Sequence, residues 1–465
     1  MDTLTLTAAD IAACTGGRVL RGDSGSAIGR VAIDSRTLAP GDCFVAIRGE
    51  RFDGHDFVSD VVARGAGALI VSREIDDVPS PAVVILVGDT TQALQDVARD
   101  VRRRSGAKVV AITGSAGKTT TKEVSAELLS LRYRVFRNKG NLNNHIGLPL
   151  SLLELRSRPE IAVVELGMNH PGEIRTLVGI AQPDVRVWTN VGDAHLGFFA
   201  SADAIADAKA EILEGAVGKD VLVANANDAR VMSRAEWFLG RVVTFGIDVD
   251  ADVRATRVEH RGLEGTSAEL QTAAGHATLT TPLLGLGNLS NVLAATAVAL
   301  QFDIPVSEIV ETASRLKPAT HRGELLRLPG GITLIDDSYN SSPAALSLAL
   351  DTLSAATGCA RKVAVLGEML ELGDHAESLH RECGRRAAAA GLMLLVTVGG
   401  APSRALAEGA IAAGLPRESV ISVATRDEAA DVALSRVRPG DLVLVKGSRG
   451  IGTDLVVTRL KAEFA

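Results

Sequence analysis

Residues 113–123, TGSAGKTTTKE, constrain the fold more than any other stretch of this chain. They follow KVVAI, a β-branched run with the character of a buried strand. They lead into KEVSAELLSL, where Val124, Leu128 and Leu131 recur at helical spacing. A glycine-rich turn between a strand and a helix presents backbone N–H groups at the positive end of a helix dipole, which suits a polyphosphate. Gly114 and Gly117 let the main chain, through Ser115 and Ala116, approach phosphate oxygens. Lys118 supplies a point charge, and Thr119 or Thr120 offers a hydroxyl to Mg²⁺. The usual pattern G-x-x-x-x-G-K-[ST] needs glycine at 112, where Ile112 stands, so the motif is a shortened G-x-x-G-K-T-T form.

The 465 residues imply about three domains. A content of 46% hydrophobic and 23% charged residues places the chain among globular proteins. Aromatic residues make up only 3%, so the cores must be built from Val, Leu, Ile and Ala, and base-stacking platforms are disfavoured. A net charge of −7 without a basic block argues against nucleic-acid binding. Cys14, Cys43, Cys359 and Cys383 are widely spaced, which suggests neither a zinc site nor a disulfide framework; a reducing cytosol is the simplest setting. The N-terminal MDTLTLTAADIAACTGG has no basic n-region or apolar h-region and reads as a short strand followed by a small helix. No stretch approaches the ~20 apolar residues of a membrane span. The longest candidate, VLAATAVALQF (292–302), reads as a buried helix.

An α/β architecture of three parts is expected. Residues 1–105 carry short strands in VAIDS, CFVAI, ALIVS and VVILV and a helix near 56–65, and RDVRRRSGAK reads as a helix end and linker. Residues 106–317 alternate strand and helix through KVVAIT, IAVVEL, VRVWTN and VLVAN, the pattern of a parallel sheet covered on both faces. Residues 247–281 change to the alternation of antiparallel strands. After LKPATHRGE, residues 318–465 restart the pattern with ITLIDD, KVAVLG, LMLLVTVG and LVLVKG.

Ligands of open parallel sheets bind beyond the carboxyl ends of the strands, and polar residues cluster there. Glu165 ends IAVVEL, where a carboxylate suits Mg²⁺ directly or through water, or a loop cap. Asn190, Asp193 and His195 lie in the glycine-rich loop after VRVWTN. Lys209 sits in an Ala-rich helix and, on its residues alone, reads as a solvated lysine. Asn288 and Asn291, at i and i+3, share a helix face and suit either a purine edge or helix capping. Asp336 or Asp337 could meet a ribose or a metal, Asn340 and Ser342 a substrate or a helix start. Lys446 and Arg449 form a basic glycine loop suited to an anionic group such as a carboxylate.

The set resembles the Mur ligase family, the ATP-dependent amide-forming enzymes of peptidoglycan precursor synthesis. IDSRTLAPGDCFVAIRGERFDGHDF (33–57) is similar to the family's uridine-substrate domain. TGSAGKTTTKE, NKGNLNNHIGLPL, ELGMNHPGEI and DDSYNSSPAAL resemble the members that add the final dipeptide, and the DNPR motif of the third-residue-adding members is absent. The resemblance implies a small α/β uridine-substrate domain, a central P-loop-type ATPase domain with a mostly parallel sheet, and a Rossmann-like C-terminal domain. It implies UDP-N-acetylmuramoyl-tripeptide, D-alanyl-D-alanine and ATP as substrates, two Mg²⁺ ions, no nucleic acid, no membrane span, and a cytoplasmic monomer.

Position by position, the resemblance puts Lys118 on the ATP phosphates and Thr119 on the first Mg²⁺. Glu165 becomes a Mg²⁺ ligand and His195 holds the second ion. Lys209 becomes a carbamate that binds metal, against its reading as a solvated residue. Asn288 and Asn291 lie by the adenine, Arg322 reaches the γ-phosphate, and Asp336 meets the ribose region. Asp34, Ser35 and Arg36 belong to the uridine-substrate site; Asn340, Lys446 and Arg449 to substrate binding. Gly287 departs from the histidine common in the family before the first asparagine. The implied reaction passes through an acyl phosphate, and no residue is assigned as the base for the incoming amine. The competing readings are a third-residue-adding ligase, which the missing DNPR disfavours, and an NTP-hydrolysing switch, which needs no acyl or amine substrate.

Overall fold

The structure, a computed structural model, describes residues 3–75, 82–193 and 196–464. Among these residues three sheets form. The first contains β1 (Arg18–Arg21), β2 (Val31–Ala32), β3 (Cys43–Val45), β4 (Ala68–Val71) and β5 (Val83–Leu86) in the order β1-β5-β4-β3-β2. Only β1 runs antiparallel to its neighbour. The second contains β6 (Lys108–Thr113), β7 (Val135–Arg137), β8 (Ile161–Glu165), β9 (Val185–Trp188), β10 (Val221–Asn225), β11 (Arg241–Ile247), β12 (Val253–His260), β13 (Thr266–Thr272) and β14 (Gly275–Thr281). Its order is β14-β13-β12-β11-β10-β9-β6-β8-β7. The third contains β15 (Glu324–Arg327), β16 (Thr333–Asp337), β17 (Arg361–Gly367), β18 (Leu394–Val398), β19 (Val420–Val423) and β20 (Asp441–Lys446), in the order β15-β16-β20-β17-β18-β19.

Contact density divides the chain into two units. The first comprises residues 1–111, 132–186 and 211–220. In it, the core under the five-stranded sheet is apolar: Ala32, Phe44, Val58, Val61, Leu69, Val71 and Val84 are buried together. The helix Thr90–Ser105 starts at the Asp89 cap, whose carboxylate accepts from the Gln92 N–H, and stops at Gly106 with φ 73°. That backbone conformation is cheap only for glycine, which is why the basic helix end predicted near 99–108 terminates there. Arg186 is buried and donates to the carbonyls of Ile212 and Pro183 and to Asp220 at 2.8 Å. An ion pair this dry survives because the guanidinium's remaining donors are also satisfied.

The second unit comprises residues 112–131, 187–210 and 221–465. Here β12, β13 and β14 pair antiparallel, as the alternation over 247–281 predicts. The third sheet is parallel apart from β15, with apolar cores on both faces. β16 and β17 both flank β20, so the strand order reverses there and opens a crevice at the carboxyl ends. The helix Gly285–Leu300 is buried from Asn291 to Ala299, as its composition predicts.

The expected N-terminal strand is not formed. Thr7 makes only an isolated bridge to Ala27 and then caps the helix Ala8–Thr15 in a capping box with Asp10. Its hydroxyl and the Asp10 carboxylate satisfy helix donors that a strand would have spent on a ladder. All four cysteines are free; burial pushes the Cys14 and Cys43 thiols up to about 12 and Cys383 up to about 11. Among the described residues no helix is long and apolar enough to cross a membrane.

Candidate functional site

The glycine loop lies in the second unit, between the end of β6 and the helix Lys118–Leu129. Its shape is set by the segment after β9. The Thr189 N–H donates to Thr113 O at 3.0 Å, and the Thr189 hydroxyl donates to Ala116 O at 2.7 Å. Asn190 reads Ala116 in both directions: its Oδ1 accepts from the Ala116 N–H at 2.9 Å and its Nδ2 donates to Ala116 O at 3.2 Å. The Ser115 N–H donates to Asn190 O at 3.0 Å, and the Ser115 hydroxyl oxygen accepts from the Gly192 N–H at 2.9 Å. Two of the loop's N–H groups are therefore spent inside the protein, which concentrates the anion-facing role on the first turn of the helix that begins at Lys118.

Both glycines are required by space as well as by backbone angle. At Gly114 (φ +146°) a Cβ would lie 1.9 Å from Thr189 Oγ1, and at Gly117 (φ +83°) 2.2 Å from Asn291 Oδ1. Lys118 folds over the loop and donates to Gly114 O at 2.7 Å. Thr120 is buried while Thr119 is half-buried, so of the two hydroxyls left open by the sequence Thr119 is the more accessible. Asn288 and Asn291 do share a face: Asn291 Nδ2 donates to Asn288 Oδ1 at 3.3 Å. Neither caps the helix, whose N-cap is Leu284. Asn291 Oδ1 instead accepts from the Thr121 hydroxyl at 3.2 Å, tying that face to the helix of the glycine loop.

Lys209, in the helix Ala202–Ala210, is 1% exposed. Burial, and secondarily the charge of Lys118, hold its pKa well below the usual lysine value. Among the described residues no carboxylate pairs with it. The solvated-lysine reading fails because helix periodicity says nothing about what covers a face. His195 lies outside the described residues. The loop leading to it is anchored by Asp228, whose Oδ2 accepts from the Val191 N–H at 2.7 Å. Beyond it the Gly197 N–H donates to Glu371 O at 2.8 Å.

In the first unit Glu165 ends β8 with 3% exposure. Its Oε1 accepts from Asn143 Nδ2 at 2.7 Å, and its N–H donates to Asn138 Oδ1 at 3.3 Å. Asn138 and Asn143, from NKGNLNNHIGLPL, thus fix this carboxylate, a role that spacing alone did not reveal. Asp34 and Arg36 pair with each other at 2.7 Å on the surface. The Arg36 side chain lowers the Asp34 carboxyl to about 2. Ser35 stands half-buried between them.

At the strand ends of the third sheet, within the second unit, Asp336 is buried. It accepts from the Ser338 hydroxyl at 2.5 Å and faces His321 Nδ1 at 2.7 Å. Both its oxygens meet protein groups. Asp337 pairs with Lys446 at 2.6 Å, and Lys446, also buried, donates to Asn340 O at 3.0 Å. Asn340 and Arg449 are exposed. Arg449 pairs with Asp454 at 3.2 Å. The Arg322 guanidinium lies 4.2 Å from the Tyr339 ring centroid. His321, Tyr339 and Asn143 were not singled out in the sequence; they lie in LKPATHRGE, DDSYN and NKGNLNN, and only contacts distinguish them from loop residues.

The residues fit a nucleotide and a hard cation. The loop excludes side chains at Gly114 and Gly117, as a cradle for phosphates must. Thr119 in the second unit, and separately Glu165 in the first, each carry an oxygen of the kind Mg²⁺ prefers. Among the described residues no group of three His, Cys, Asp or Glu side chains comes together.

Comparison with known proteins agrees across the chain. Residues 27–102 match the model "Mur ligase family, catalytic domain", residues 112–299 "Mur ligase middle domain", and residues 321–449 "Mur ligase, glutamate ligase domain". The UDP-N-acetylmuramoyl-tripeptide--D-alanyl-D-alanine ligase of Bacillus subtilis is 35% identical over 430 residues, covering 92% of each chain. The Escherichia coli ligase of the same name is 37% identical over 377 residues, covering 79% of this chain and 81% of its own. The crystal structure of MurF from Acinetobacter baumannii superposes with a TM-score of 0.89 at 33% identity, covering 99% of this chain and 100% of its own. MurF ligase from Thermotoga maritima, in complex with ADP, gives 0.82 at 30% identity, covering 94% and 97%.

Proposed function

This chain belongs to the Mur ligase family, and from that membership we propose that it joins D-alanyl-D-alanine to UDP-N-acetylmuramoyl-tripeptide at the expense of ATP. The observation that supports this most directly is within the second unit. A loop whose Gly114 and Gly117 leave no room for a Cβ, with Lys118 at its helix start, lies within electrostatic reach of a buried Lys209 whose pKa is held well below the usual lysine value. Lys118 binds the phosphate oxygens. The tripeptide carboxylate attacks the γ-phosphorus, its P–O bond to ADP breaks, and an acyl phosphate forms. The dipeptide amine attacks the acyl carbon, loses a proton, and inorganic phosphate leaves. Bringing a carboxylate to a polyphosphate costs Coulomb energy, which Lys118 and Arg322 offset.

Thr119, Glu165, His195 and a carbamate on Lys209 are the proposed holders of two Mg²⁺ ions, which would supply positive charge to the transferring phosphoryl group. Burial and the Lys118 charge shift Lys209 toward its neutral amine, the form that can add CO₂, releasing one proton as the carbamate forms. Asn288 and Asn291 are assigned to the adenine side and Asp336 to the ribose side, Asp336 acting through His321 and Ser338 because its own oxygens are taken up. Asp34, Ser35 and Arg36 are assigned to the uridine substrate, and Asn340, Lys446 and Arg449 to the dipeptide end. Functional domains of 1–105, 106–317 and 318–465 are proposed, in keeping with the spans of the three family models. A monomer working in the cytoplasm completes the reading.

The test is phosphate release from ATP and Mg²⁺ with and without each substrate. Release that needs both substrates, with a product heavier by the dipeptide less water, supports the ligase. Release that needs neither would instead make the protein an NTPase. Lys118→Ala should abolish turnover while leaving the folded state intact; normal turnover in that variant would remove the phosphate loop from the mechanism.

A further inference from the structure

Tyr339, in the loop after β16, carries two cations on one ring. The Arg322 guanidinium carbon lies 4.2 Å from the ring centroid and that of Arg449 lies 5.7 Å away. Both fall inside the ~6 Å reach of a cation–π contact. The two arginines come from separate segments, one just before β15 and one just after β20. Like charges gathered on one ring repel each other unless an anion joins them. Arg322 has no carboxylate partner among the described residues, and the exposed pair of Arg449 with Asp454 holds weakly.

The main chain that carries the ring is tied to the segment of Arg322. The Tyr339 N–H donates to His321 O at 3.1 Å, and the His321 ring meets buried Asp336 at 2.7 Å. His321 is held in the left-handed region at φ 60°, a conformation that a side-chain-bearing residue adopts only when its surroundings impose it. The segment that carries Arg322 and the loop that carries Tyr339 are thus fastened to each other by backbone and side chain. The Tyr339 hydroxyl has no hydrogen-bond partner among the described residues. The ring face, and not the hydroxyl, is what the structure uses.

We propose that Tyr339 is a positioning residue whose ring is the shared support of Arg322 and Arg449, holding them as a pair for anionic groups of the substrates. The proposal rests on the ligase reading for which anions these are: the nucleotide phosphate at Arg322 and the dipeptide carboxylate at Arg449. A single support predicts that losing it disturbs both ends together. A ring that served only the nucleotide would disturb one.

The experiment compares wild type, Tyr339→Phe and Tyr339→Leu, with Tyr339→Met as a second ring-free variant should the leucine protein fold poorly. The first readout needs no activity: the rates at which phenylglyoxal modifies Arg322 and Arg449, followed by mass spectrometry in the free protein. Both sites should react about two- to tenfold faster without the ring, the range expected for losing a partly exposed cation–π contact, and Tyr339→Phe should match wild type. The second readout is steady-state. Loss of the ring should raise KM for ATP and for D-alanyl-D-alanine by a similar factor, with phenylalanine restoring both. Acceleration at Arg322 alone, a KM change for ATP alone, or equal damage in Tyr339→Phe would each overturn the shared support. If the wild type formed no amide, the labelling would still decide the proposal while the ligase reading fell.

Discussion

Gly117→Ala offers the sharpest check on the geometry of the glycine loop. Gly117 holds φ +83° at the N-cap of Lys118–Leu129, and an alanine in this left-handed region costs about 1–2 kcal/mol. The three atoms nearest the added Cβ would all belong to Asn291: Oδ1 at 2.2 Å, Cγ at 3.0 Å and Nδ2 at 3.3 Å. Asn291 cannot simply retreat, because it is 7% exposed in a buried helix and its amide holds Thr121 and Asn288. Overpacking of this kind costs about 1–3 kcal/mol, for a total of about 2–5 kcal/mol. Asn291→Ala alone should cost about 1–3 kcal/mol, since it leaves the buried Thr121 hydroxyl without its acceptor. In the double variant the collision is gone and only the backbone term of Gly117→Ala remains. The two substitutions should therefore couple by about 1–3 kcal/mol. A chain of two units does not unfold in one step, so native-state hydrogen exchange at the amides of Lys118–Leu129 is the appropriate measure. Effects that add to within about 0.5 kcal/mol would refute the collision as the reason for this glycine.

Lys209→Ala should lose activity and regain part of it with added short carboxylic acids; full activity without them would mean that no carbamate is needed. Because the folded-state pKa of Lys209 is depressed, the unfolded chain binds the extra proton at any pH between that value and 10.5. Stability relative to Lys209→Met should therefore rise with pH up to about 10.5, measured in CO₂-free buffer, and a flat difference would contradict the burial. In Gly197→Ala a Cβ would stand 2.9 Å from Gly373 N and 3.0 Å from Glu371 O, both backbone atoms. It should lower kcat while nucleotide affinity, followed by titration calorimetry, is kept. Asp220→Ala leaves the buried Arg186 guanidinium without its counter-charge and should destabilise the first unit by about 3–5 kcal/mol in urea unfolding, whereas a loss under 1 kcal/mol would mean water reaches the arginine.

What could be read from the sequence was whatever a short stretch determines by itself. The glycine loop is such a case: strand, turn, lysine, hydroxyls and helix are contiguous, so their order carries the chemistry without any fold. The same holds for the antiparallel alternation over 247–281 and for the buried helix at 292–302. Lys209 shows where this stops. Its own helix is built of Ala, Ile and Leu, and no periodicity tells whether a lysine in it faces water or a neighbouring element; the family resemblance, and not its local pattern, singled it out. Asp336 and Lys446 show the converse. Their places at strand ends were legible, but His321 meets Asp336 from 15 positions away, and Asp337 meets Lys446 only when β16 and β20 pair side by side. The short strands β1, β7 and β19 went unread because they are mostly half-exposed or exposed and lack the apolar run that marks an interior strand. Legibility therefore followed sequence distance. Groups that act through their own neighbours announced themselves, and groups that act by holding another residue in place, such as Asn143 on Glu165 or Tyr339 under Arg322, did not. A scan for positioning residues in chains like this one should begin from the polar side chains that face a strand-end carboxylate or guanidinium.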